Sequence, residues 1–152
     1  MSKPVIVIRN VEDSPDWIDR ELVTAYLRTD YCITSHLVRP FRIGAIDQGQ
    51  LDWLEAQNTQ TFAFITAWNP HSEMHSDKYN RLKNRQLAAS LSRITPLFLP
   101  GANTAGDGLW PPEESFWTPG ISQTTAVTLG RRYRQNAIVW WEKGAVPELL
   151  WL

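Results

Sequence analysis

Apolar residues fall into two patterns along this chain. The runs TFAFITAWNP at 61–70 and NAIVWW at 136–141 are almost unbroken, as expected of central strands buried on both faces. Elsewhere apolar positions recur at helical spacing between cap signals. Ser14-Pro15-Asp16 places a hydroxyl cap, a proline suited to the first helical position and an acid in the first turn, predicting a helix that carries Ile18, Leu22, Ala25 and Tyr26. Asp47 with Gln50 fits a capping box opening a short helix through Leu51 and Leu54 to about Gln57. Ser76-Asp77 predicts a longer helix to about Ile94, and Ser122 caps one with Ala126, Leu129, Gly130 and Tyr133 on one face.

Short strands are predicted at Val5–Ile8, Leu97–Leu99, Glu113–Trp117 and, as an edge, Leu149–Leu152. Tyr31–Val38 and Phe41–Ala45 read as a hairpin turning at Arg39-Pro40. Pro100–Pro112, PGANTAGDGLWPP, has the composition of a surface loop. Helices and strands interleave without strict βαβ regularity. The expected fold is therefore α+β: one domain over 1–152, with 1–13 a loosely attached N-terminal segment, and a mixed twisted sheet of about five to seven strands packed by three or four helices. A chain of 152 residues is long enough for one well-buried core and short for two.

Charge and composition narrow the partners. A formal charge of −1 gives no global basic field, so nucleic acid needs a local patch. The single cysteine, Cys32, allows no intrachain disulfide or cysteine-rich zinc site and is expected as a buried, inert thiol. The opening MSKPVIVIRN lacks the long apolar region and cleavage site of a signal peptide, and no apolar run reaches the ~18 residues of a span. A cytoplasmic protein is expected, without a membrane partner. Eight tryptophans are many, and each either buries a large area or awaits a partner.

Candidate chemistry concentrates where apolar elements end in amides. Asn69-Pro70 closes the first buried run, and a residue before proline is pushed to extended backbone, so Asn69 is expected to continue the strand direction to an edge of the kind where ligands sit, unless it serves only to bond the loop through His75 as asparagine does at turns. Asn80 and Asn84 fall on the same helical stripe as Leu87 and Leu91. Buried amides require partners, either internal backbone or a ligand. Glu113 follows Trp110-Pro111-Pro112 and is a solvated loop acid, a general base or a metal ligand; Ser72 is a weak nucleophile candidate. Gln135 and Asn136 stand at the mouth of NAIVWW, after the cluster Arg131, Arg132 and Arg134, which reads as a helix terminus or as an anion or RNA contact. His71 and His75 flank Glu73 but lack the helical context of a metal motif. No GxGxxG, GK[ST] or GxSxG stretch occurs, so no cofactor or metal is expected.

The stretches AYLRTDY (25–31), FITAWNPHS (64–72), WPPEES (110–115) and LGRRYRQNAIVW (129–140), with the spaced Asn80 and Asn84, resemble a bacterial family of uncharacterised domains numbered 3293, over about Val23 to Leu152. The resemblance implies stress on Asn69, Ser72, Asn80, Asn84, Glu113, Gln135 and Asn136, without implying a reaction. His71 departs from it, because members often carry a basic residue there.

Three functions fit. The first is a polar pocket for a small nucleotide- or amide-like molecule, walled by Trp68 or Trp110, with hydrolysis by Glu113. The second is a non-catalytic interaction module using exposed Trp110, Trp117, Trp141 and Trp151 to hold a protein partner. The third is weak RNA or anion binding through Arg131, Arg132 and Arg134.

Overall fold

The computed structural model describes residues 3–106, 108 and 110–152. Met1 and Ser2 of the opening segment, and Asp107 and Leu109 of the expected loop, lie outside the described residues.

Seven strands form one sheet: β1 (Ile6–Ile8), β2 (Thr29–Ile33), β3 (Thr61–Ile65), β4 (Leu99–Ala105), β5 (Glu113–Pro119), β6 (Ala137–Glu142) and β7 (Glu148–Trp151), in the order β1-β7-β6-β3-β5-β4-β2. The four helices are α1 (Arg20–Leu27), α2 (Gln48–Ala56), α3 (Asp77–Ile94) and α4 (Gln123–Arg132). The α+β class and the element count are as expected. Every ladder is antiparallel, however, so the parallel neighbours of a mixed sheet are not found among the described strands.

Side-chain alternation divides the core into two layers. Phe62 and Phe64 of β3, Val139 and Trp141 of β6 and Leu149 of β7 face one way, under Val23 of α1 and Leu54 of α2. Ala63, Ile65, Ile138, Trp140 and Leu150 face the other way, under Leu87 and Leu91 of α3 and Ala126 and Leu129 of α4. Both central runs are thus covered on both sides, which is why they read as unbroken apolar sequence.

Several boundaries differ from the sequence reading. Ser14 closes a 3-10 turn at Val11–Asp13 instead of opening α1, whose cap is Asp19, its carboxylate accepting from Glu21 N–H. Within the expected hairpin only Tyr31 pairs with Phe41, and Arg42 with Ala45. The final strand β7 is interior, between β1 and β6. Ile8 is fully buried, so the part of the N-terminal segment that forms β1 is built into the sheet. Cys32 is half-buried on the edge strand β2, and its thiol is raised by burial first and by Asp30 second.

The largest difference is β4, which occupies the first half of the expected Pro/Gly loop. Gly101 is what admits it: a Cβ there would stand 2.7 Å from the Cys32 carbonyl oxygen and 2.9 Å from Ser115 Oγ. The strands on either side can therefore approach only a glycine. Gly101→Ala is expected to destabilise the protein by about 1–3 kcal/mol through overpacking, read as a lower urea midpoint at unchanged slope.

Candidate functional site

Ladder register lays out one row of polar side chains. Tyr31 of β2 is paired with Asn103 of β4, and Asn103 with Glu113 of β5. Directly paired residues share a face of the sheet, here the face covered by α1, since Tyr31 lies in that core layer. Helix α1 adds Leu22, Ala25 and Tyr26, and the three strands and the helix enclose a cleft of about 220 Å³, walled on its outer side by Trp110 and Pro111. A small recess of about 40 Å³ shares Tyr26, Tyr31, Asn69, Asn103 and Glu113 with it and reaches Trp68 and Gln135.

The loop after β3 closes the cleft with an unusual backbone. Asn69 is left-handed, φ 44° and ψ 67°, not the extended residue that the following proline predicts. His71, Ser72 and Arg134 also have positive φ, at 55°, 59° and 57°, a conformation uncommon outside glycine. Local bonds overrule the backbone preference. Asn69 N–H donates to Asn80 Oδ1 at 2.9 Å, while Asn80 Nδ2 and His75 N–H donate to Asn69 Oδ1 at 2.8 and 3.0 Å. His71 N–H donates to the Arg134 carbonyl at 2.8 Å, so the two irregular segments brace each other. Such conformations persist only where the surrounding structure over-determines them, as these bonds do.

With Oδ1 engaged, Asn69 turns Nδ2 to Glu113 Oε1, 3.2 Å away. Burial holds the Glu113 carboxyl above the usual carboxylate range, and the Asn69 bond offsets only part of that rise. Nearby, Asn136 Nδ2 donates to Ser72 Oγ at 2.9 Å, and Ser72 Oγ lies 3.4 Å from Tyr26 Oη. The Tyr26 phenol is raised by burial, opposed by its bond to Ser72 and reinforced by Glu113. Tyr31, whose Oη donates to the Tyr26 carbonyl at 3.3 Å, is raised well above its ordinary value by burial and then by Tyr26. Both phenols therefore remain neutral donors at physiological pH. The cleft thus offers one carboxyl disposed to take a proton, two phenols, a hydroxyl and several amides.

The sequence-nominated residues separate into three groups. Asn69, Ser72, Glu113, Gln135 and Trp68 line the cleft or its recess, and Asn136 reaches it through Ser72. Asn80 holds the loop from behind. Asn84 accepts from Ala67 N–H at 2.7 Å and donates to the Glu114 carbonyl at 2.8 Å, joining the end of β3 to β5. Asn84 thus has backbone partners, whereas Asn80 bonds both the backbone and the side chain of Asn69. Ser72 has Tyr26 and Asn136 as its bonded neighbours, and neither is a basic group that would activate it as a nucleophile.

Other expectations are corrected. Trp117, Trp141 and Trp151 are core residues, at 0, 1 and 8% exposure, so the proposed four-tryptophan patch does not form; Trp110 alone of the four is exposed, at 53%. Arg131 turns its guanidinium to the Lys3 carbonyl instead of joining Arg132 and Arg134 in the solvent. His75 stacks on Tyr79, and no group of three His, Cys, Asp or Glu side chains among the described residues is placed to hold a metal. No described helix is long and apolar enough to cross a membrane.

Sequence reasoning did not single out Tyr26, Tyr31 and Asn103. Both tyrosines sit in AYLRTDY but count as apolar members of their elements, and Asn103 was concealed by the loop-like composition of β4. The usable signal was the pairing register, which requires knowing that β4 is a strand.

Fold and site together define an antiparallel α+β protein with a polar cleft around one half-buried carboxyl. A family model described as "Protein of unknown function (DUF3293)" matches residues 65–138, from the last residue of β3 into β6, and this is the family that the sequence motifs resemble. The matched segment holds Asn69, Ser72, Asn80, Asn84, Glu113, Gln135 and Asn136. No curated protein and no solved structure matches the chain.

Proposed function

We propose that the cleft binds a small amide- or nucleotide-like molecule and hydrolyses it with Glu113 as general base. The observation that carries this reading is the Glu113 carboxyl itself, half-buried, raised, and held by Asn69 beside an open cleft. A carboxylate with raised proton affinity is a better base than an ordinary one at neutral pH. Glu113 takes a proton from water as the water oxygen bonds to the substrate carbonyl carbon. The proton then passes to the leaving nitrogen as the C–N bond breaks, so Glu113 ends as it began. Tyr26, a neutral phenol, is suited to donate to the developing oxyanion. Asn103 and Gln135 present donors and acceptors to a flat amide edge.

The test is turnover of three chromogenic probes, a p-nitroanilide, a p-nitrophenyl ester and a p-nitrophenyl phosphodiester, by the native protein and by Glu113→Gln. The expected result is anilide turnover lowered by at least about 100-fold in the variant, with KM little changed. Turnover equal in the two proteins, or none on any probe, contradicts the hydrolytic assignment.

A further inference from the structure

The net charge of −1 conceals a segregation. Helices α3 and α4, with the turn after α4, hold eight of the 15 basic residues and one of the 16 acids, Asp77, leaving seven and 15 to the rest of the chain. Both helices bury their apolar stripes against the same sheet face, and the hydroxyls of Ser90 and Tyr133 join them at 2.8 Å. Their outer sides therefore form one side of the molecule. Lys78, Arg81, Arg85, Arg93, Arg132 and Arg134 are exposed there. The ion pairs among the described residues, Arg9–Glu148, Arg39–Asp47 and Arg42–Asp30, use none of these cations. At the start of α3, the rings of His75 and Tyr79 stack at 4.5 Å and 20°, with Lys83 Nζ 5.5 Å from the Tyr79 ring.

We propose that this face binds single-stranded nucleic acid. A one-sided field of uncompensated cations attracts a polyanion and concentrates it locally whatever the net charge. Arginines predominate on it, and their planar groups suit phosphate oxygens. The partly exposed His75–Tyr79 pair at one end favours a single strand over a duplex, because unstacked bases pack on such rings while the bases of a duplex are already stacked on one another. An acidic protein would meet the same charge but make no use of the pair. The inference stands apart from the cleft and does not depend on hydrolysis there.

The test is fluorescence anisotropy of a labelled 12-nucleotide RNA of mixed sequence, over a KCl series. The expected Kd is in the micromolar range at low salt, weakening with a log–log slope of about −2 to −4, as three to six phosphate contacts on a single strand give. Arg85→Glu with Arg132→Glu should weaken binding at least tenfold, with circular dichroism unchanged, and Arg20→Glu with Arg39→Glu on the opposite side should not. Tyr79→Ala should weaken RNA about fivefold and leave a duplex of equal length unaffected. The proposal is overturned by a Kd above about 100 μM at low salt, by equal losses in the two double variants, or by tighter binding of the duplex or of polyglutamate than of the RNA.

Discussion

Glu113→Gln is expected to remove hydrolytic activity and, at the same time, to raise Tm at pH 7. The two effects share a cause. Burial raises the folded carboxyl above its unfolded value, and Asn69 does not fully compensate. The folded protein therefore holds this proton more tightly than the unfolded chain. Between the unfolded and folded values it binds more protons, and stability falls as pH rises through that window. The contribution is fully present below the ordinary glutamate value of about 4.3 and lost above the raised one. Once ionised, the Glu113 carboxylate carries its charge where burial disfavours it, and glutamine relieves this while still accepting from Asn69. Unfolding followed from pH 4 to pH 8 should show a gain that is largest at neutral pH and disappears near pH 4. A stability loss at pH 7, or a gain independent of pH, would mean that Glu113 is an ordinary structural acid. Function opposed to stability at one residue is a pattern expected of sites rather than of cores.

Asn84→Ala is the second large effect, and its sign is opposite. The Asn84 side chain is 3% exposed. It accepts from Ala67 N–H, is approached by Thr66 Oγ1 at 3.4 Å, and donates to the Glu114 carbonyl. Truncation leaves a buried N–H without that partner and opens a cavity; Glu114's carbonyl keeps Thr66 Oγ1 at 2.6 Å. An unsatisfied buried group costs about 1–3 kcal/mol, so with the lost second bond and the void the total should be about 3–4 kcal/mol, or a fall in Tm on the order of 10 °C for a domain of this size. Asn84→Asp should do no better, since it replaces the donating amide with a group that cannot donate to Glu114 when ionised. A change below about 1 kcal/mol would show that the ends of β3 and β5 are held by the sheet alone.

Much of the frame was legible in the chain because it rests on local signals. The capping box of Asp47 and Gln50, the caps Ser76 and Ser122, and the strand of the second apolar run appear as read, whereas the first run, expected to stay a strand to Trp68, leaves the sheet after Ile65. What was not legible depended on long-range pairing. Nothing local to PGANTA says that Gly101 lies against the Cys32 carbonyl, and glycine, proline and asparagine together resemble a turn unless that neighbour is known. Asn69 shows the same limit at one residue: proline predicts extended backbone, and Asn80, eleven positions on, holds it left-handed. The amides were correctly suspected of being buried, but whether an amide faces a cleft or a backbone group is a property of the assembled fold. Asn69 joins cleft to scaffold, and Asn80 and Asn84 belong to the scaffold.

The most direct test of the cleft is crystallography with fragment soaks, using small primary amides and free nucleobases at millimolar concentration. The account predicts density between Glu113, Asn103 and Tyr26, with a polar fragment atom within hydrogen-bond distance of the Glu113 carboxyl and the loop at Asn69 in the same left-handed conformation. Fragments bound only elsewhere, with solvent alone in the cleft, would contradict it.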